Sequence, residues 1–382
     1  MIDPQAFLRE LQRLEFSLFT GTPCSYLAPL INTLLTTPGV DYVAAANEGD
    51  ALAVGCGAEL GGQPGVVLFQ NSGLGNAVNP LTSLAIPLRI PVLIITSWRG
   101  QPGGKPDEPQ HEFMGKITPD LLRLFGVPFE EVPRQQQDIA PLLLRARKYL
   151  QSEGLPFALI AHDTSFHAAP APAGTAVRTA VVSAPPPPPA PAMERLDQDD
   201  VLKTIQSGVG PTDVVLATTG YTGRALYAMD DRPNQFYMVG SMGCVSSLGL
   251  GLARVQAGRR VVVIDGDGAM LMRMGAVATI GHYEPPNLVH ILLDNAAHDS
   301  TGGQSTVSDT VDLARIAWAC AYKKVLRATR LDELHAALRL NVDGPLFIHV
   351  RTKVRANRKL PRPEMTAMEM AARFRNWIKE TS

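Results

Sequence analysis

Short, almost wholly apolar runs rich in Val and Ile, set between stretches of helical periodicity, leave this chain little choice of architecture. Residues 66–69 and 92–96 in the first half are such runs, as are 213–217, 260–264, 288–293 and 346–350 in the second. A strand that is apolar on both sides must be covered on both faces, which a parallel sheet with crossover helices achieves. Residues 50–60 and 139–150 read as such helices. The expectation is α/β: two doubly wound parallel sheets of similar size, with no clear sequence repeat between them.

The seam between the halves lies at about residues 168–192, where Pro185 to Pro189 run in succession among Ala, Gly and Thr. Consecutive prolines exclude helix and favour extended polyproline geometry, so this stretch reads as a semi-rigid linker. The expected division is a first domain at 1–168, a linker at 169–193 and a second domain at 194–382, with no middle domain. A length of 382 residues fits two or three domains, at roughly 150 residues each; the single seam leaves two of similar size.

Composition narrows the function. Apolar residues make up 45% and charged residues 19%, as in ordinary globular proteins. Lys and Arg number 35 against 36 Asp and Glu, a net charge of −1, so no broad field recommends nucleic acid as partner. Any anion site must therefore be built locally by a few convergent cations. Cys24, Cys56, Cys244 and Cys320 lack the close spacing of a zinc site or disulfide framework and read as buried free thiols. The opening residues, 1–16, read as an amphipathic helix rather than a signal peptide. No apolar run approaches the roughly 20 residues needed to cross a bilayer. A cytoplasmic enzyme without membrane partners is expected.

The most informative segment is Val261-Val-Val-Ile-Asp-Gly-Asp-Gly-Ala, followed by Leu288-Val-His-Ile-Leu-Leu-Asp-Asn-Ala-Ala-His. Each half places a carboxylate or amide just past the carboxyl end of a buried strand, where ligands sit in open α/β sheets. The 26 residues between Gly268 and Asn295 allow a crossover helix, beginning near Met270, that sets the two strands side by side. Asp267 and Asn295 would then offer hard oxygen ligands to one Mg²⁺. Gly266, Gly268 and Ala269 open the helix and would bring backbone amides to a diphosphate. Taken alone, Gly-Asp-Gly marks a turn in any protein. The preceding strand and the second strand ending in Asp-Asn make it specific.

This pattern resembles that of the thiamine-diphosphate enzymes, whose motif is Gly-Asp-Gly, a spacer of this length and Asn-Asn, here varied to Asp294-Asn295. The resemblance implies thiamine diphosphate and Mg²⁺ as cofactors, with the carbonyl of Ala297 as a third protein ligand beside Asp267 and Asn295. It further implies a glutamate in the other domain that hydrogen-bonds the aminopyrimidine ring. Glu48, after a strand and at the start of a helix, is that residue by position; outside this context it is an ordinary first-turn carboxylate. Residues 239–249 resemble the segment that cradles the pyrimidine, with Gly240 in the turn and Met242 as the wedge. Residues 218–224 resemble the loop that contacts the diphosphate, through Gly220 and Thr222. Family sites of this kind form between subunits, so a homodimer or larger homo-oligomer is implied.

The direct passage from one half to the other through a linker resembles the branch that decarboxylates phosphonopyruvate and sulfopyruvate. Residues 70–84, 98–111 and 298–304 match that branch. The implied reaction is non-oxidative decarboxylation of a small anionic 2-oxo acid, phosphonopyruvate first and sulfopyruvate second. Carboligation by the same site is a further alternative, and a noncatalytic cofactor-binding subunit a remote one. A multiply charged substrate needs local cations. Arg99, Lys105 and His111 share one Gly/Pro-rich loop after the strand at 92–96, while Asn71 and Ser72 follow another strand end. A solvated loop with scattered charges is the bland reading for each cation. His111 and His298 are alternative proton relays.

Overall fold

The computed structural model describes residues 1–172, 185–188, 194–355 and 359–381. The chain divides into two compact units, Met1–Arg178 and Thr179–Ser382. The first holds strands β1 (Leu18–Gly21), β2 (Asp41–Ala44), β3 (Gly65–Phe69), β4 (Leu93–Ser97), β5 (Phe129–Glu131) and β6 (Phe157–Ala161). All pair in parallel, in the order β2-β1-β3-β4-β6-β5. Strands β3, β4 and β6 are buried at every residue, as their mainly apolar sequences require.

The second unit holds β7 (Val214–Ala217), β8 (Gln235–Tyr237), β9 (Val261–Gly266), β10 (Leu288–Asp294), β13 (Lys324–Ala328) and β14 (Leu346–Arg351). Between β10 and β13 lies a small antiparallel hairpin, β11 (Ala297–His298) with β12 (Gln304–Ser305). The six-stranded sheet is again wholly parallel, ordered β13-β14-β10-β9-β7-β8. Read from its β8 edge and numbered within each unit, this is the same order as in the first sheet, 2-1-3-4-6-5. The two halves therefore share a topology that no sequence repeat announces.

Local sequence explains the elements that position the site. The helix Glu48–Leu60 starts where the Asn47 side chain accepts from the Gly49 N–H at 2.8 Å. Its Gly, Ala, Leu, Val and Cys residues are buried nearly all round, so it is a core helix. The N-terminal helix is present as Pro4–Arg13, capped by Asp3 and burying Phe7, Leu8 and Leu11. The crossover after β9 begins at Asp267, not near Met270. It breaks after Met272 and resumes as Gly275–Tyr283. The earlier start places Asp267 in the first helical turn.

Most of the expected linker, 169–193, lies outside the described residues. Of its proline run, residues 185–188 lie against the second unit: the Pro187 carbonyl accepts from Arg315 Nε at 3.4 Å, and the Pro188 carbonyl from Arg327 Nε at 3.3 Å. Cys24, Cys56 and Cys244 are buried and outside any disulfide, whereas Cys320 is only partly buried. Among the described residues no helix is long and apolar enough to cross a membrane.

Candidate active site

Strands β9 and β10 are neighbours in register, with Gly266 opposite Leu293, so their carboxyl-end turns lie side by side. The first turn delivers Asp267, which is 2% exposed. Its Oδ2 accepts a hydrogen bond from the Thr306 hydroxyl, and among the described residues no Lys, Arg or His pairs with it. Burial pushes this carboxyl up; the Thr306 hydrogen bond opposes the shift and the nearby Asp294 charge reinforces it. A buried carboxylate without a cationic side-chain partner is met either by a proton or by a bound cation.

The second turn delivers Asn295. Its Oδ1 accepts from the Ala297 N–H at 3.0 Å and its Nδ2 donates to Asp299 at 2.8 Å, leaving a second Oδ1 lone pair. Asp267, Asn295 and Ala297 line one cavity of about 100 Å³ with Thr218, Gly220, Met242, Gly268 and His298. Among the described residues no group of three or more His, Cys, Asp or Glu side chains forms a metal cluster. A mixed set of carboxylate, amide and backbone oxygens suits a hard cation such as Mg²⁺, so these residues fit that ion.

Asp294, where the family pattern has Asn, is fully buried. Burial pushes its carboxyl up, but hydrogen bonds from His349 and Ser308 and the Arg351 charge outweigh that, holding it below the usual carboxylate range. The variation adds a negative charge beside the turn that carries Asn295.

The surroundings are shaped by backbone. Gly220 caps the helix Tyr221–Met229 at φ 92°, ψ −144°, a conformation closed to other residues. The Thr222 hydroxyl in the first turn accepts from Gln198 Nε2 at 3.5 Å. Ser241 (φ 52°) and Gly243 (φ 90°) flank Met242 with left-handed residues, turning the chain sharply after Gly240. A Cβ on Gly268 would stand 2.5 Å from His298 Cε1, so the glycine makes room for that ring. Gly266 has no such constraint, the nearest atom being 3.9 Å from its ideal Cβ.

In the first unit, Glu48 Oε1 accepts from Thr22 Oγ1 at 3.1 Å and Oε2 from Asn76 Nδ2 at 2.7 Å. Gly73 packs so closely that a Cβ there would lie 2.3 Å from Glu48 Cγ. Thr22 and Asn76 were not foreseen from sequence. Asn76 lies in the matching stretch 70–84, and its helix was the available signal.

The Arg99 guanidinium forms a bidentate pair with Asp107, with Nε at 2.9 Å, and stacks 5.3 Å from the centre of the Tyr26 ring. Asp107 also accepts from Tyr26 and from the Gly100 and Glu108 amides. Asn71 is fully buried: its Nδ2 donates to the Arg99 carbonyl and Thr118, and its Oδ1 accepts from Ser97 and the Arg99 amide. Arg99 and Asn71 thus spend their polar atoms within the first unit, Arg99 Nη1 also donating to Ser25 Oγ at 3.3 Å. Ser72 is exposed and accepts from Gln70 at 2.8 Å. Lys105 is largely exposed, 3.7 Å from Asp163. His111 is buried in the first turn of the helix Pro109–Leu124, and its carbonyl abuts Gly100.

Comparison with known proteins agrees with this division. Residues 4–120 match the N-terminal thiamine pyrophosphate binding domain of the thiamine pyrophosphate enzymes, and residues 218–350 match their C-terminal one. The chain belongs to the thiamine pyrophosphate enzyme family; thiamine pyrophosphate is thiamine diphosphate. Within it, the chain is 43% identical to a phosphonopyruvate decarboxylase of Streptomyces viridochromogenes, over 99% of this chain and 95% of that protein. It is 28% identical to a sulfopyruvate decarboxylase of Methanosarcina acetivorans, over 99% of this chain and 98% of that protein. The benzoylformate decarboxylase of Polynucleobacter necessarius shares the fold, with a TM-score of 0.72 at 13% identity over 94% of this chain and 100% of that chain.

Proposed function

We propose that this chain decarboxylates 3-phosphonopyruvate to phosphonoacetaldehyde and CO₂, using thiamine diphosphate and Mg²⁺. The observation that carries the reading is the full-length 43% identity to a phosphonopyruvate decarboxylase. Bound thiamine diphosphate supplies the electron sink that lets a 2-oxo acid lose CO₂. Asp267, Asn295 and the Ala297 carbonyl hold Mg²⁺. Gly220, Thr222, Gly266, Gly268 and Ala269 face the diphosphate, and Gly240 and Met242 cradle the pyrimidine. Glu48, fixed by Thr22 and Asn76 through both carboxylate oxygens, orients the ring by a hydrogen bond. Lys105 and Ser72 supply exposed polar groups for the anionic substrate, while Arg99 and Asn71 shape the loop that presents them. His111 and His298 are the groups from which a proton reaches the product.

A homodimer or larger assembly that completes the site, and a cytoplasmic location, belong to the same reading. Four free cysteines suit a reducing compartment. Sulfopyruvate is the second substrate to try, on the weaker identity to a sulfopyruvate decarboxylase; carboligation is a possible side reaction of the same site.

The test is aldehyde formation from phosphonopyruvate, sulfopyruvate and pyruvate, each with thiamine diphosphate and Mg²⁺. Preference for phosphonopyruvate is expected. Preference for sulfopyruvate would reassign the substrate, and turnover of none would remove the decarboxylation reading.

A further inference from the structure

Two histidines stand between apolar neighbours in strands of the second unit: His290 in β10, fully buried, and His349 in β14, 2% exposed. Each stands in a chain of hydrogen bonds that ends on a cation turn. Arg327 Nη1 lies 3.1 Å from His349 Nδ1, and His349 Nε2 lies 2.8 Å from Asp294 Oδ2. Arginine has only donors, so Nδ1 accepts and the imidazole proton sits on Nε2, facing the aspartate. Asp294 Oδ1 in turn accepts from the Ala296 N–H at 3.2 Å and from Ser308 Oγ at 2.8 Å. Ala296 sits at φ 59°, a left-handed conformation that alanine rarely adopts. This is the turn that carries Asn295.

The second chain repeats the first. The Tyr322 hydroxyl lies 3.0 Å from His290 Nδ1, and His290 Nε2 lies 3.3 Å from Asp265 Oδ2. Asp265 Oδ1 accepts from the Gly266 N–H at 2.9 Å, in the turn that carries Asp267. Both aspartates are fully buried. Apolar residues would pack these positions at lower cost, so each pair is poorly explained as a device for stability alone.

We infer that His290 and His349 are positioning residues for the divalent cation, each fixing a buried aspartate whose other oxygen sets the backbone of a ligand-bearing turn. The inference rests on the cation site proposed above. Mg²⁺ demands near-ideal octahedral geometry at about 2.0–2.1 Å, whereas Ca²⁺ tolerates a looser set. Loosening either turn therefore lowers Mg²⁺ affinity more than Ca²⁺ affinity.

The experiment titrates Mg²⁺ and Ca²⁺ calorimetrically into the metal-stripped full chain with thiamine diphosphate present. His290→Leu and His349→Leu keep the strand filled but remove the N–H, and the Gln variants retain a donor. The expected result is a loss of about 10- to 100-fold in Mg²⁺ affinity for the Leu variants, with a narrowed Mg²⁺/Ca²⁺ ratio and partial recovery with Gln. Ile348→Val, a buried change on the same strand, should lower thermal stability and leave both affinities unchanged. Parental affinity and ratio in the Leu variants overturn the inference, as does an equal shift in Ile348→Val. Should the Leu variants not fold, Gln variants that lose stability at a parental Mg²⁺/Ca²⁺ ratio overturn it as well. Asp267→Ala separates this outcome from failure of the site. If it binds Mg²⁺ as the parent does, the site reading falls and the inference with it; if it loses Mg²⁺ while the histidine variants keep it, only the inference falls.

Discussion

Asp107 gathers an arginine, a phenol and two backbone amides around one carboxylate and thereby folds the loop between β4 and the helix Pro109–Leu124. Its carboxyl is held well below the usual range, first by the Arg99 hydrogen bond and then, against burial, by the Glu108 amide. A depressed carboxylate stabilises the fold fully above its unfolded value of about 4, and the contribution is lost as pH falls below that towards the folded value. Arg99→Met should therefore cost about 2–3 kcal/mol near pH 7. It should also flatten the acid limb of a Tm–pH curve below about pH 4, as calorimetry would read. Glu48→Ala should lower kcat about 100-fold or more with the fold intact by circular dichroism, and Asn76→Ala should lower it less. Glu48, Asp267 and Asn295 were open to proposal from sequence because each stands in a segment that resembles the family pattern, Asp267 and Asn295 directly after β9 and β10. Thr22, Asn76, Asp265, His290 and His349 were not, because their partners lie 25 or more residues away along the chain.

At the scale of elements, the strands read from sequence are those buried on both faces, where apolar runs have no competing explanation. The sheet edges β5, β8 and β13 escaped notice, as did the buried β1 and β6. β5 and β8 are short, and β5 and β13 are partly exposed, carrying charged residues as edges do. The turns between elements hold the tightest constraints. Gly243 has a left-handed φ of 90°, and a Cβ there would meet the Ala269 carbonyl at 2.9 Å. Gly243→Ala should cost about 1–3 kcal/mol in denaturant unfolding and weaken cofactor binding, because the turn carries Met242. Gly258→Ala, with nothing near its ideal Cβ, should leave cofactor binding unchanged. The crossover start was misjudged by three residues because Gly-Asp-Gly reads as a turn, while the structure has already begun its helix at Asp267.

For the whole molecule, binding to the folded state alone must raise stability by mass action. Thiamine diphosphate with Mg²⁺ at about 100 times Kd should add about 2.7 kcal/mol, a rise of roughly 5 to 10 °C for a unit of this size. Differential scanning fluorimetry with and without the pair would read it, and no rise would remove the cofactor site. The class and the parallel sheets were visible in the bare sequence, through the Gly-Asp-Gly and Asp-Asn pattern and the apolar runs. The common strand order was not, since topology is set by which strands pair and leaves no residue pattern of its own. That shared order repeats one mechanical plan. In each sheet the carboxyl ends of the parallel strands share one edge, where open α/β sheets hold ligands, so either half can vary its loops there without disturbing the winding beneath.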